Sequence, residues 1–283
     1  MGSILFVFLL LVAANGVLSK GNMTKEISFH QNYKVIWGDN YVLSSNQGKE
    51  VQLKMDNSSG FGSKMTYGSG LFHMKIKLPN RNSAGVVTTY YLSSEGNKHD
   101  ELDFEFLGNR EGKPYRLQTN IFADGKGNRE QRIRLWFDPR AHFHTYQILW
   151  NQHQIVFYVD NIPIRVYKNK SNIGVGYPTK PMQIQASLWD GDSWATNGGK
   201  TKTNWKYAPF KANFQGFDVN GCQILSSSNS QNCFSEKYWW NSQKFWQLSP
   251  SQHRQYEHVR HKYMTYDYCI DRIRFPQPPL ECL

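Results

Sequence analysis

From Lys34 to about Phe210 the apolar residues recur in short runs, separated by Gly, Asn and Pro. The runs return at about 8–12-residue spacing, the rhythm of an all-β sandwich or barrel. Val51-Gln-Leu-Lys-Met55 alternates apolar and polar positions, as does Leu71 to Leu78. That period marks a strand with one buried face. Ile155 to Val159 is followed by Asp160-Asn161 and then Ile162-Pro-Ile-Arg-Val166, which predicts a hairpin turning at the Asp-Asn pair. No internal repeat or low-complexity linker interrupts the series.

After about Lys211 the pattern changes: cysteines begin, Trp239-Trp240 follows, and Ser249-Pro250 opens a helical segment. Ser suits an N-cap and Pro the first helical position. Tyr256, Val259 and Tyr263 then fall on one helix face. At the other end, Ile4 to Ala14 is an eleven-residue apolar run followed by small residues. A bilayer span needs about 20. The run fits a secretory signal peptide cleaved after Ser19, although only the terminal amine precedes it as a positive charge. The expected division is therefore a leader over 1–19, a β-rich body over 20–210 and a C-terminal extension over 211–283.

Export changes how the cysteines and sequons are read. Cys222, Cys233, Cys269 and Cys282 stand as C-x10-C and C-x12-C, which are not zinc-knuckle spacings. Two disulfides are expected. Three connectivities are open, and adjacent pairing, which closes the shortest loops, is the expected one. Each bond then contributes about 3 kcal/mol in the chain-entropy account. Asn22, Asn57 and Asn169 head N-x-S/T sequons and become glycan acceptors in an exported chain.

Composition narrows the class. Across 283 residues, aromatics are 15% and charged residues 19%, against about 25% charged in typical soluble proteins. A disordered chain lacks the aromatics, and a coiled coil needs more charge. The formal net charge of +11 suits an acidic partner: nucleic acid, an anionic surface or an acidic polysaccharide. Charge does not choose among them.

The chemistry concentrates in His99-Asp-Glu-Leu-Asp-Phe-Glu-Phe-Leu-Gly108. On a strand, Glu101, Asp103 and Glu105 share one face, and Leu102, Phe104 and Phe106 take the other. Three carboxylates in a row repel one another, so stability alone does not favour them. A solvated acidic edge paired with lysines and arginines is the plain reading; glycoside hydrolysis is the functional one. Breaking a glycosidic bond takes one carboxyl to protonate the leaving oxygen and another to attack or to activate water. Glu101 and Glu105 lie roughly 13 Å apart at Cα on a straight strand, so their side chains must lean together on a concave sheet. Asp103, between them, raises as a like charge the pKa of whichever carboxyl stays protonated.

This stretch resembles the signature of the xyloglucan endotransglucosylase/hydrolases of plant cell walls, in glycoside hydrolase family 16. The likeness continues through Arg81-Asn-Ser-Ala-Gly85, Tyr90-Tyr-Leu-Ser-Ser94, Gln118-Thr-Asn120, Leu135-Trp-Phe-Asp-Pro139, Phe157-Tyr-Val-Asp160 and Trp194-Ala-Thr196. It extends to the tail, from Tyr266-Asp-Tyr-Cys269 through Arg274-Phe-Pro276. The resemblance implies a concanavalin-like β-jelly-roll sandwich with an open cleft and a disulfide-stapled extension containing a helix. It implies retaining chemistry, with Glu101 as nucleophile, Glu105 as acid/base and Asp103 assisting. Water resolving the glycosyl-enzyme gives hydrolysis; another glucan end gives transfer.

Carried over by position, Gln118, Thr119 and Asn120 fall near the cleavage point. Asn128, Arg129, Glu130, Ser193, Trp194 and Gly198 fall further along the cleft, and Arg274 reaches it from the extension. Trp189 and Trp194 are expected stacking platforms. The chain departs from the family where Asn109-Arg-Glu111 is no sequon, where Asn128 and Ser193 replace a common Asp, and where Asn197 replaces a common Arg. The implied partners are xyloglucan and oligosaccharide acceptors, with acidic pectin matching the basic charge. Neither nucleic acid nor membrane is expected, and the chain is expected to act as a monomer in the cell wall and apoplast.

Other signals are weak. His142-x-His144 has the spacing of two metal ligands on one strand face, with no third ligand near it. No G-x-S-x-G elbow, Walker loop or G-x-G-x-x-G occurs. No cofactor and no metal is expected. The rivals are a pure endohydrolase and a secreted jelly-roll lectin, which has no use for an acid triplet.

Overall fold

The computed structural model describes residues 27–56, 58–225 and 232–283. The expected leader and the sequon asparagines Asn22 and Asn57 lie outside them. Among the described residues no helix is long and apolar enough to cross a membrane.

Strands β1 (Tyr33–Trp37), β2 (Val42–Ser45), β3 (Glu50–Met55), β4 (Ser59–Lys77) and β5 (Val86–Ser93) open the body. Strands β6 (Glu101–Leu107), β7 (Arg116–Phe122), β8 (Gln131–Arg134), β9 (His144–Trp150), β10 (Gln154–Val159), β11 (Ile162–Lys168) and β12 (Met182–Asp190) follow. They join antiparallel in the order β11-β10-β9-β4-β12-β5-β6-β7-β8. The long β4 serves both layers. Its first residues pair with β1 and β12, and its later ones with β9. The register shift against β12 between Gln183 and Gln185 falls opposite Gly62–Thr66, where the pairing of β4 with β1 ends.

The sheet thus folds on itself into a sandwich. Phe104 of β6 meets Phe157 of β10 edge-on at 5.1 Å, and Phe106 meets Tyr146 of β9 at 4.6 Å. These rings are fully buried with Leu102. The apolar face of the acid strand is the inner wall of the sandwich, which leaves the acidic face outside, on the open side.

The predicted hairpin is β10–β11, turning at Asp160-Asn161 with both residues at positive φ. Unlike an alternating strand, β10 is buried on both faces. Leu149, Val156 and Tyr158 pack outward against Cys222, Cys233 and Trp240. The extension therefore covers the outer layer and gives it a second core.

Strand pairing passes through residue 210: β13 (Phe210–Gln215) pairs with β3 and β4, and β14 (Asn220–Ile224) pairs with β4. Helix α1 (Phe29–Asn32) precedes β1, and helix α2 (Pro250–Tyr263) is the predicted one. Ser249 and Gln252 cap α2 reciprocally, at 3.2 and 3.0 Å. Val259 is its one buried side chain, while Tyr256 and Tyr263 are half-buried. Strand β15 (Met264–Asp267) then adds to β8. The disulfides join Cys222 to Cys233 and Cys269 to Cys282.

Candidate active site

Unbroken register from β12 to β8 sets the open face in rows. Directly opposed antiparallel residues point the same way, so each row is a line of neighbouring side chains. One row reads Gln183, Ser93, Glu101, Phe122; the next Gln185, Tyr91, Asp103, Asn120. The third reads Ser187, Thr89, Glu105, Gln118, Arg132. The three carboxylates of β6 hold the centre. Polar and aromatic side chains flank them on both neighbouring strands.

The hydrogen bonds follow the rows. Gln118 Nε2 donates to Glu105 Oε2 at 2.6 Å, and Arg132 Nε donates to Gln118 Oε1 at 2.5 Å. Tyr91 donates to Gln185 at 2.8 Å, and the Thr89 and Ser187 hydroxyls share a bond of 2.6 Å. His99 Nε2 stands 3.9 Å from Glu101 Oε1. Asn120 Oδ1 accepts from the backbone of Ile121 and Arg129, which leaves its amide N–H groups to face the groove.

Burial and like charge set the protonation states. Glu105 is pushed up to about 7, first by burial; Gln118 and Arg132 oppose the rise, while Glu101 and Glu130 add to it. Asp103 lies well above the usual carboxylate range, first through burial and then through Glu101 and Glu105. A hydrogen bond joins Asp103 to Glu101, and the protonated member donates it. Tyr91 is likewise raised, by burial and by the charges of Glu101 and Asp103. A solvated acidic edge would show no such shifts. Burial and like charge thus favour the protonated forms of Glu105 and Asp103 on this face.

Glu101, Asp103, Glu105, Gln118, Asn120, Glu130, Trp189 and Trp194 all line this groove. Trp189 and Trp194 stand 6.1 Å apart, tilted by 40° and half-exposed over Val87, Leu107 and Ala195. Arg274 crosses from the extension to Glu130 at 2.7 Å and also donates to Asn128. Asn128 thus joins the rim through Arg274. Ser193 and Gly198 are exposed in the loop around Trp194 and do not line the groove.

Two positions differ from the expectation. Thr119 points inward, as alternation between Gln118 and Asn120 requires, and accepts from buried Arg165 at its carbonyl and hydroxyl, 2.8 and 3.0 Å away. Arg129 turns away from the groove to Glu281 at 2.6 Å and to backbone carbonyls, and so ties the extension to the body.

Sequence reasoning did not single out Thr89, Tyr91, Phe122 and Ser187, which also line the groove. Ser187 carried a signal in the alternation of polar with apolar residues along β12, whereas Thr89, Tyr91 and Phe122 are placed by strand pairing. Arg132 carried the same signal in β8, where Gln131 and Ile133 are buried. Of the histidine pair, His144 bonds Asp160 at 2.6 Å and stacks on Phe137 at 3.6 Å, while His142 is exposed. Among the described residues no group of three or more potential ligands could hold a metal.

Comparisons with known proteins agree with this geometry. Residues 29–207 match the model of glycosyl hydrolases family 16, and residues 234–282 match the xyloglucan endo-transglycosylase C-terminus. Xyloglucan endotransglucosylase/hydrolase protein 2 of Arabidopsis thaliana is 61% identical over 259 residues, 90% of this chain and 89% of that protein. Protein 3 of the same plant is 58% identical over 261 residues, 91% of this chain and 89% of its own. A Bacillus licheniformis β-glucanase shares the fold, with a TM-score of 0.55 and 23% identity over 68% of this chain and 92% of that one. The carboxylate face, the stapled extension and these likenesses converge: the chain belongs to glycosyl hydrolase family 16, among the xyloglucan endotransglucosylase/hydrolases.

Proposed function

We propose that the protein cleaves the β-1,4 backbone of xyloglucan with retention and joins the released donor to another xyloglucan end. The observation that carries this reading is the coupled acid face. Glu105 is held near neutrality and fixed by Gln118, four residues along the strand from Glu101. A lectin gains nothing from that arrangement.

In the first step a Glu101 oxygen bonds to the anomeric carbon as the glycosidic C–O bond breaks, and Glu105 gives its proton to the leaving oxygen. In the second, the hydroxyl of an acceptor chain attacks the same carbon. Glu105 takes back a proton, and the Glu101 ester bond breaks. Asp103 donates a hydrogen bond to Glu101 and holds its orientation. Gln118 and Asn120 bond hydroxyls beside the scissile bond, while Trp189 and Trp194 stack on sugar faces of the chain. Arg274 and Glu130 border the groove, with Asn128 behind them. Ser193 and Gly198 shape the loop that carries Trp194. Water in place of the acceptor gives hydrolysis.

The catalytic unit is the body to about residue 210, with the extension completing its rim and outer core. Family membership supports a secreted enzyme of the cell wall and apoplast, and the net charge of +11 suits adsorption to acidic pectin. Incubation with xyloglucan and labelled oligosaccharide acceptors tests the main reading. Label entering polymer supports transfer, and falling viscosity without incorporation supports the hydrolase. No change in either refutes both.

A further inference from the structure

A fourth row of the open face carries an arginine pair that the chemistry above leaves unused. Register continues as Trp189, Val87, Leu107, Arg116, Arg134. This row lies two residues, roughly 6.7 Å, beyond the row of Glu105, Gln118 and Arg132. It begins at Trp189, which lines the groove, and it ends in two guanidinium groups.

Arg116 and Arg134 are direct cross-strand partners, with Cβ atoms about 5 Å apart in such a pairing. Like charges so placed destabilise a sheet. Among the described residues the arginines that hold ion pairs are Arg129, Arg140, Arg260 and Arg274. Arg116 and Arg134 hold none, although Arg116 is only half-exposed and Arg134 is exposed. Arg132, two residues before Arg134 in the same strand, is spent on Gln118 and the ring of Tyr266. The pair is therefore a concentration of positive charge on the groove face that no carboxylate among the described residues neutralises.

We propose that Arg116 and Arg134 form a subsite for a sugar carboxylate, a uronic acid borne on a branch of the glucan that occupies the groove. This rests on the glycan-cleaving reading above. Two adjacent guanidinium forks match a planar carboxylate in geometry and charge. A neutral glucan offers nothing that would offset their repulsion. The row sits beside that of Glu105, Gln118 and Arg132, so it meets a substituent of the glucan that occupies the groove. At the other end of the row, Trp189 stacks on sugar faces. The chain bearing the carboxylate is either the donor or the acceptor.

Transfer assays with the full-length enzyme separate these. In one arm neutral xyloglucan is the donor, and the labelled acceptor is a xyloglucan oligosaccharide, either neutral or oxidised to a carboxylate at C6 of its branch galactose. In the other arm the polymer carries the carboxylate and the acceptor is neutral. The expected result is a KM about tenfold lower for the carboxylated form in one arm, the effect of a charge-assisted hydrogen-bond pair. The preference should vanish at about 1 M NaCl, where the screening length is about 3 Å. In R116Q/R134Q the ratio of carboxylated to neutral KM should return to about one. R134Q alone, at an exposed position, should move it partway and covers a folding failure of the double variant. Equal KM values in both arms, or a preference that R134Q and the double variant leave intact, overturn the proposal. Wild-type transfer to the neutral acceptor is read in the same assay. Its absence defeats the transferase reading, and its presence without a carboxylate preference defeats the subsite alone.

Discussion

Gln118 and Glu105 are joined across β6 and β7 by a single hydrogen bond of 2.6 Å, whose other end Arg132 anchors. The amide has only one way to serve both neighbours. Its N–H goes to the carboxyl and its oxygen to the guanidinium, so the register of three strands orients the acid. Both groups also hold the pKa of Glu105 lower than burial alone would set it.

R132Q and Q118L should therefore both raise the Glu105 pKa. The alkaline limb of kcat/KM, near pH 7 in the parent, should move upward in each. Q118L should also lose about tenfold or more in kcat, since an unpositioned acid forfeits part of a contribution of 10²–10⁴. The check is a pH–rate profile for donor cleavage; an unmoved limb would show that the relay does not tune the acid.

The same shift affects stability. Between its ordinary value of 4.5 and about 7, Glu105 stays protonated in the folded chain but is ionised in the unfolded one. The folded state then binds the extra proton, so stability falls as pH rises through this window. Buried Asp103 acts in the same direction. E105Q, which removes one of the two titrations, should show a shallower fall of Tm between pH 5 and 7.5. An identical slope would contradict the assignment.

E101Q separates an enzyme from a binding protein. Without its nucleophile the protein should lose at least about 10³-fold in turnover. Binding of xyloglucan oligosaccharides, measured by calorimetry, should persist, because the stacking and amide groups are intact. Full activity in E101Q would remove Glu101 from the mechanism.

The Cys269–Cys282 bond closes the segment that presents Arg274 to Glu130 and Glu281 to Arg129. C269S/C282S should lose about 3 kcal/mol of stability, a fall in Tm of roughly 6–12 °C for a domain of this size. KM for xyloglucan should rise with it, because the rim at Arg274 loosens. Thermal melts and steady-state kinetics on one preparation test both effects.

Much of this was legible in the chain. Period-two alternation placed Glu101, Asp103 and Glu105 opposite Leu102, Phe104 and Phe106, because side-chain direction along a strand is local. The Ser249-Pro250 cap and the short cysteine loops are local in the same sense. Alternation also held, unused, the answer for Thr119, whose neighbours Gln118 and Asn120 face the groove and so turn it inward.

What the sequence could not decide depends on which strands meet. Glu105, Gln118 and Arg132 lie 13 and 14 residues apart, and only their shared row makes them one hydrogen-bonded unit. Arg116 and Arg134 are ordinary surface cations until pairing sets them side by side. Arg129 finds Glu281 across 152 residues, and β10 is buried on both faces only because the extension folds over it. By itself the sequence determined which residue types are available and which way each points from its strand. The tertiary structure alone decided their neighbours, since register across a sheet is set by burial of the whole core and not by any one strand.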